Sequence, residues 1–271
     1  MQSLSYEKID HPDVSQVIFH PRKESVLPPS DASCHLLIPI EDSIGIDSRF
    51  YLAKPDEPHI LFFHGNGEIA SDYDDIGPRY VNLGLSLLAV DYRGYGKSDG
   101  TPSASTMMSD AHAIFQYVKG WLDSEKRTGP LFVMGRSLGS ASAIEIASSF
   151  KDEISGLILE SAFAETLPML ITLGVDIQKL NISEKDGFNN VQKIEMVTMP
   201  VFMLHAQKDQ LLPIVNAELL HSHCTVRSKE LSIVPGADHN TIISIAGDLY
   251  FTVLKQFTNK VLKVNQRKRR R

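Results

Sequence analysis

The chain has 271 residues, 42% of them hydrophobic and 22% charged, which is ordinary for a globular protein and fits one large domain. Its formal net charge is −6, and because the last five residues contribute +5, the rest of the chain carries −11. An acidic body argues against a nucleic-acid-binding fold, and the basic end is expected at most to touch an anionic surface weakly.

Neither the first residues nor the cysteine content indicates export or a membrane span. Residues 1–10 include acidic side chains and lack the apolar core of a signal peptide. No stretch approaches the roughly 18 consecutive apolar residues of a spanning helix. Cys34 and Cys224 lie far apart in the chain, which favours two free thiols in a reducing compartment. These features predict a soluble, cytoplasmic protein.

The first part of the chain is predicted to be β-structure. Val17–Phe19 is a short apolar run, and two longer runs, His35–Ile40 and Ile46–Leu52, flank the residues Asp42–Gly45. Because Asp and Gly favour turns, this spacing predicts a pair of antiparallel strands.

From Ile60 onward, short apolar runs alternate with helical patterns. The runs show no polar alternation, as expected of strands buried on both faces of a parallel sheet. They are Ile60–Phe63, Leu85–Val90, Leu131–Met134, Gly156–Leu159, Val201–Leu204 and Leu231–Val234. The helical patterns are Ile69–Leu83, Ser105–Leu122, Leu138–Phe150, Ala217–His223 and Thr241–Val261. This alternation predicts a doubly wound α/β fold, with residues 1–271 as a single domain.

Two segments depart from the alternation. Residues 162–194 are longer than one crossover helix needs, and we expect them to form a small cap over the carboxyl edge of the sheet. Residues 264–271 are rich in Lys and Arg and are expected to be a flexible tail.

The strongest local signal is the pentapeptide Gly135-Arg136-Ser137-Leu138-Gly139. It follows one predicted strand directly and opens the next predicted helix, which is the context that a G-x-S-x-G nucleophile motif requires. The helix start also supplies free N–H groups near the hydroxyl. The pattern predicts Ser137 as a nucleophile, whereas an ordinary Gly/Ser turn is the structural alternative.

A serine hydroxyl needs a base, and ten histidines compete for that role. His239 is preferred because its loop follows the last predicted strand and can reach the sheet edge. Other histidines stand at strand margins, namely His59, His64 and His205. A metal site at His221, His223 and Cys224 is disfavoured, since residues two apart on a helix do not share a face.

The acid should lie between Ser137 and His239, because triads on this kind of sheet run in the order serine, acid, histidine. Asp209 follows the strand Val201–Leu204 and is the preferred candidate. Glu160 is the main rival, and Asp238 is too close to His239 along the backbone to be an easy partner.

An oxyanion hole should complete the site. One backbone N–H is expected from Leu138, the residue after the nucleophile, and the other from the loop after the first parallel strand. That loop reads His64-Gly65-Asn66-Gly67, and Asn66 is the predicted second donor.

With these motifs the chain resembles the α/β-hydrolases, in particular the Bem46-like and ABHD-type serine hydrolases, from about residue 35 to residue 260. The shared stretches are His64–Gly67, Asp91–Ser98, Gly135–Gly139 and Glu160–Phe163. The resemblance implies a mostly parallel sheet of eight strands and acyl hydrolysis through an acyl-enzyme, and it supports Ser137, Asp209 and His239. It also implies a structural role for the Asp91–Ser98 loop, with Asp91 and Arg93 bracing the floor of the site.

The sequence thus predicts a serine hydrolase that cleaves a carboxylic ester or thioester of a small acyl substrate, without a metal or organic cofactor. An amide or peptide hydrolase of the same fold is one alternative. A non-catalytic hydrolase-fold binding protein is another, and it would be expected to have lost part of the triad.

Overall fold

A computed structural model describes residues 5–24 and 33–269 of the chain. In these ranges eight strands form one sheet, in the order β1-β2-β4-β3-β5-β6-β7-β8. The strands are β1 Cys34–Glu41, β2 Ile44–Tyr51, β3 His59–Phe63, β4 Ser86–Val90, β5 Leu131–Arg136, β6 Gly156–Glu160, β7 Val201–Ala206 and β8 Lys229–Val234. The pairs β1–β2 and β2–β4 are antiparallel and the other neighbours parallel, which confirms the predicted α/β fold.

Helices flank this sheet. They are α1 Pro12–Ile18, α2 Gly77–Asn82, α3 Ala104–Ser124, α4 Gly139–Ser149, α5 Thr166–Thr172, α6 Asn190–Glu195, α7 Val215–His223, α8 Ile242–Ala246 and α9 Asp248–Arg269, with 3-10 turns at Ala70–Tyr73 and Glu184–Asp186. The predicted helix Thr241–Val261 is two helices, because Gly247 adopts a φ of +57° between them. The pattern Ile69–Leu83 likewise divides into a 3-10 turn and α2.

The expectation of β-structure at Val17–Phe19 is wrong. The run ends α1, whose first turn is capped by His11, with its Nδ1 accepting from the N–H of Asp13 at 3.2 Å. Val14 and Ile18, four residues apart, are both buried on one helix face. A three-residue apolar run cannot distinguish the end of such a helix from a strand.

The central strands β3 to β7 are buried at every residue, which accounts for their uninterrupted apolar runs. Alternate side chains enter two cores, one on each face of the sheet. Leu61 and Val133 belong to the core that includes α3 and α4 residues. Phe62 and Phe132 belong to the other core, where Phe132 meets Phe257 of α9 edge-on at 6.1 Å.

Residues 162–194 contain α5, the second 3-10 turn and most of α6. The carboxylate of Glu184 accepts from the N–H groups of Thr166 and Leu167 at 2.6 and 2.9 Å, and the Thr166 hydroxyl accepts from Phe188 N–H at 2.8 Å. These bonds fold the segment back on itself. Its action as a cap stays a prediction.

At the other predicted segment, residues 264–271, α9 continues to Arg269, so the backbone of residues 264–269 is helical. The last two residues lie outside the described range. Whether this basic end is flexible stays a prediction.

Replacing Gly139 by Ala should destabilise the fold, because α4 packs here directly on β3. A Cβ on Gly139 would overlap the carbonyl oxygen of Phe63, which is backbone and cannot rotate away. We expect Gly139→Ala to lower the free energy of unfolding in urea by about 2–3 kcal/mol. The matched control is Gly120→Ala in the open face of α3, where a Cβ meets nothing within 4 Å; it should be stabilising by about 0.5–1 kcal/mol. Equal effects would contradict this packing.

The stability of the protein should fall in mild acid through His59, the first residue of β3, whose ring is fully buried. Burial, together with the positive charge of Arg127, lowers the pKa of His59 to about 4. An unfolded histidine titrates near 6.5, so between these values the unfolded chain binds the extra proton and unfolding becomes easier as the pH falls. We expect His59→Leu to remove up to about 3 kcal/mol of the loss in unfolding free energy between pH 7 and pH 4. Parallel stability–pH curves for the two proteins would refute this.

Candidate active site

Three side chains predicted from the sequence meet at the carboxyl edge of the sheet. Ser137 follows β5, Asp209 follows β7 and His239 follows β8. The Nε2 atom of His239 lies 2.9 Å from the Ser137 hydroxyl, and its Nδ1 atom lies 2.7 Å from Asp209 Oδ2. All three residues are between 6% and 8% exposed. The arrangement is a continuous hydrogen-bonded chain from a hydroxyl through an imidazole to a carboxylate.

The backbone at Ser137 holds the hydroxyl in place. Its φ is +51°, a left-handed conformation that strains a residue with a side chain. The Ser137 N–H donates to the Glu160 carbonyl at 2.9 Å, and its own carbonyl accepts from the N–H and hydroxyl of Ser140 at 3.0 and 2.6 Å. A Cβ on Gly135 would overlap the Gly139 carbonyl, so the turn needs glycines on both sides of the serine.

Asp209 is built to accept hydrogen bonds as a carboxylate. Its Oδ1 atom accepts from the N–H groups of Leu211 and Leu212 at 3.1 and 2.8 Å, which leaves Oδ2 for His239. Burial alone would raise the pKa of Asp209, but the bonds from His239 and Leu212 outweigh it and lower the pKa. At neutral pH this group is an anion aimed at the imidazole.

The rival carboxylates point elsewhere. Glu160 is fully buried, and it accepts from Arg136 Nε at 3.1 Å and from the Tyr250 hydroxyl at 2.6 Å. Burial raises the pKa of Glu160 against the opposing charge of Arg136. Asp238 closes its own turn by accepting from the N–H of Asn240 at 3.0 Å. Among the candidates weighed from the sequence, only Asp209 contacts the imidazole of His239.

Two backbone N–H groups, in the segments that follow β3 and β5, are available to a ligand. Those of Leu138 and Asn66 donate to no other described residue. Leu138 precedes α4, and Asn66 lies in the turn closed by Glu68 N–H and the Gly65 carbonyl at 3.3 Å. Their use as an oxyanion hole stays a proposal.

The side chain of Asn66 is held by a clamp that sequence analysis missed. Its Oδ1 atom accepts from the N–H of His20 at 2.8 Å and from the Tyr95 hydroxyl at 2.7 Å. Its Nδ2 atom lies 2.8 Å from the Nδ1 atom of His20. The segment after α1 therefore fixes the turn that carries the Asn66 amide. No local pattern signals it, because the partners are 46 and 29 residues away.

Asp91 contacts the residues on both sides of the turn that carries Asn66. It accepts from Ala70 N–H at 2.7 Å and lies 3.0 Å from His64 Nε2. Burial opposes the charged imidazole, but the bond to Asp91 outweighs it and raises the pKa of His64.

Arg93, expected to brace the floor of the site as well, instead pairs with Asp110 on α3 at 2.7 Å and with Glu41 on β1 at 2.7 Å. That part of the expectation does not fit the structure.

A cavity within the described residues lies apart from the three side chains. It measures about 1050 Å³ between α3, α4 and α6, and neither Ser137 nor His239 lines it. Its polar groups already bond to one another: Lys193 contacts Glu145 at 2.6 Å and the Tyr6 hydroxyl at 3.1 Å. The candidate site is therefore defined by the contacts of His239 with Ser137 and Asp209, and this cavity is not part of it.

Residues 5–24 and 33–269 contain neither a metal-binding cluster nor a membrane-spanning helix. In those ranges no group of three or more His, Cys, Asp or Glu side chains is suited to hold a metal ion. His223, one of the residues weighed for a metal, instead lies 2.7 Å from Glu195. No helix in the same ranges is long and apolar enough to cross a bilayer.

Comparison with known sequences reveals relatives for most of the chain. The family described as serine aminopeptidase, S33, matches residues 54–182. Protein bem46 of Schizosaccharomyces pombe is 29% identical over 224 residues, which are 80% of this chain and 73% of that protein. The alpha/beta hydrolase domain-containing protein WAV2 of Arabidopsis thaliana is 28% identical over 218 residues, 75% of this chain and 70% of its own. The family match includes Ser137 but ends before Asp209.

Among solved structures, the esterase Pf2001 of Pyrococcus furiosus has a similar fold. It superposes with a TM-score of 0.71 over 89% of this chain and 98% of its own, at 17% identity. The superposition demonstrates a shared fold, and at an identity this low it shows nothing about the reaction.

Proposed function

We propose that this protein is a serine hydrolase that cleaves carboxylic esters or thioesters. The chain belongs to the α/β-hydrolase superfamily and resembles its Bem46-like and ABHD-type members. The observation that carries the proposal is the hydrogen-bonded chain from Ser137 through His239 to Asp209. The proposed substrate is a small acyl compound, and the proposed location is the cytoplasm.

In the proposed reaction, His239 takes the proton of Ser137 as the hydroxyl attacks the substrate carbonyl. Asp209 holds the imidazole in the required tautomer and stabilises its charged form. The amides of Leu138 and Asn66 bind the oxygen on which negative charge develops, each contributing about 3 kcal/mol in comparable sites. The intermediate collapses, His239 returns the proton to the leaving alcohol or thiol, and water repeats the sequence on the acyl-enzyme.

The preference for an ester or thioester over an amide rests on how easily each leaving group departs. Alkoxide and thiolate are better leaving groups than the anion of an amine, whose nitrogen must be protonated before the C–N bond breaks, so ester and thioester cleavage asks least of the general acid. The description of Pf2001 as an esterase agrees with this choice. Amide hydrolysis is the second candidate, because the matched family is described as a serine aminopeptidase. A non-catalytic binding role is disfavoured, since Ser137, Asp209 and His239 are all present and in contact.

A fluorophosphonate probe should label the wild-type protein, and Ser137→Ala should abolish that labelling because the attacking oxygen is gone. The same substitution should lower kcat/KM on ester substrates by at least about 10³-fold. Ser142→Ala is the matched control: this serine lies in α4, is buried as Ser137 is, and its hydroxyl has no partner among the described residues. Full labelling of Ser137→Ala would remove Ser137 as the nucleophile.

The same assay separates the two candidate reactions. Wild-type protein is given a p-nitrophenyl ester, an acyl-thioester and an amide with one common acyl group. We expect kcat/KM for the ester and thioester to exceed that for the amide, and a preference for the amide would favour the peptidase alternative.

Asp209→Asn should lower kcat by about 10³–10⁴-fold, because an amide in this position favours the wrong imidazole tautomer. Asp238→Asn is the control, since this residue neighbours His239 but is exposed, and its carboxylate bonds within its own turn. It should leave kcat within about threefold, as surface changes usually do. Kinetics on the best ester, with melting curves for both variants, provide the measurement. A near-normal rate for Asp209→Asn would favour Glu160 as the acid.

A further inference from the structure

Arg136 is the residue between Gly135 and Ser137 to which the motif assigns no role. It ends β5 and is 8% exposed. Its guanidinium donates from Nε to Glu160 at 3.1 Å and from Nη1 to Glu68, and from Nη2 to the His239 carbonyl at 2.8 Å and to Asn240 Oδ1 at 3.2 Å. One buried cation thus contacts the end of β6 and the loops that follow β3 and β8.

The contact with Glu68 reaches the turn that carries the Asn66 amide. Glu68 Oε2 accepts from the N–H of Gly65 at 2.7 Å and from the Tyr73 hydroxyl at 3.0 Å. Gly65 packs directly on the guanidinium, since a Cβ there would lie 2.7 Å from Arg136 Nη1. The position of this turn relative to β5 therefore depends on the Arg136–Glu68 pair.

The contact with His239 involves its backbone carbonyl and not its imidazole, which bonds to Ser137 and Asp209. Because Nη2 donates to the carbonyl of His239, the guanidinium holds the loop after β8 at the carboxyl edge of the sheet. On the third side, the backbone of Glu160, whose carboxylate also binds Arg136, accepts the Ser137 N–H at 2.9 Å. The segments that carry the Ser137 hydroxyl, the His239 imidazole and the Asn66 amide are thus all bound, directly or through Glu68 and Glu160, to the side chain of Arg136.

Arginine is suited to this place in a way that lysine is not. The planar guanidinium has five donors in a rigid fork, and here three nitrogens serve four acceptors. A lysine ammonium is a single point with three donors on a flexible stem. The two carboxylates, Glu68 and Glu160, are also mostly buried and need the positive charge between them.

We propose that Arg136 is a positioning residue that aligns the nucleophile turn, the histidine loop and the oxyanion turn for the transition state. This inference rests on the proposed function of the site. Arg136 has no described contact with the Ser137 hydroxyl or the His239 imidazole, so it acts through the groups it holds. Its loss should therefore lower kcat and leave substrate binding nearly intact.

The test compares Arg136→Lys with Arg93→Lys. Arg93 is the matched control because it is also mostly buried and bound to two carboxylates, Asp110 and Glu41, but on α3 and β1. For each variant, kcat and KM are measured on the best ester, together with the fluorophosphonate labelling rate and the melting temperature. We expect Arg136→Lys to lower kcat and the labelling rate by about 10–100-fold, as for a misaligned site, with KM within about threefold. Arg93→Lys should lose comparable stability and retain kcat.

Two further measurements keep the test decisive if Arg136→Lys folds poorly. Glu68→Gln keeps an oxygen for the Gly65 N–H and removes one charge of the cluster, and it should give a smaller loss of kcat in a folded protein. Adding millimolar guanidinium to Arg136→Ala should restore part of kcat, whereas methylammonium should not.

The outcomes separate the two proposals. A wild-type kcat in Arg136→Lys, or equal losses of kcat in the Arg136 and Arg93 variants, would overturn the positioning role while the proposed function stands. Wild-type protein that neither reacts with the probe nor hydrolyses an ester or thioester would overturn both.

Discussion

The left-handed backbone at Ser137 is the constraint on which the rest of the site depends. With a φ of +51°, Ser137 makes the sharp turn between β5 and α4, and its hydroxyl lies at the sheet edge, 2.9 Å from His239 Nε2. A conformation of this kind costs on the order of 1–3 kcal/mol in a residue with a Cβ. Hydrogen bonds to the Glu160 carbonyl and from Ser140 oppose that cost, and glycines at 135 and 139 give the backbone room. Local strain and local support are therefore found in the same few residues.

Parallel strands explain how distant residues come to share this edge. Every parallel strand of the sheet delivers its carboxyl end to the same side, so loops after β5, β7 and β8 converge although 102 residues separate Ser137 from His239. Once there, each group is restrained by backbone contacts: Asp209 by two N–H donors and His239 by a bond to its carbonyl. The sheet supplies the approximate meeting point, and these contacts supply the final alignment.

Much of this architecture is readable from the sequence. Strands buried on both faces show as uninterrupted apolar runs, and the order of Ser137, Asp209 and His239 between them suffices to select three side chains that lie in contact. Short elements are harder to predict from the sequence. The end of α1 resembles a strand, and the break between α8 and α9 at Gly247 leaves the helical period of apolar residues intact. These misreadings arise because a few apolar residues satisfy more than one period. Roles that depend on contacts through space are not readable at all, as Arg136 and the clamp on Asn66 demonstrate.

That clamp also bears on where the functional unit begins. The sheet starts at Cys34 and the region matched by the family starts at residue 54, yet His20 and Arg22 bind the turn that carries Asn66, the latter through the Gly67 carbonyl at 3.2 Å. A chain trimmed back to its first strand would keep every element of the sheet, together with the serine, histidine and aspartate. It would lose the brace on one of the two proposed oxyanion donors. It would also lose Ile9, Val14 and Ile18 from the core that α3 and α4 share, so the residues ahead of the sheet contribute both to the stability of the fold and to the alignment of the site.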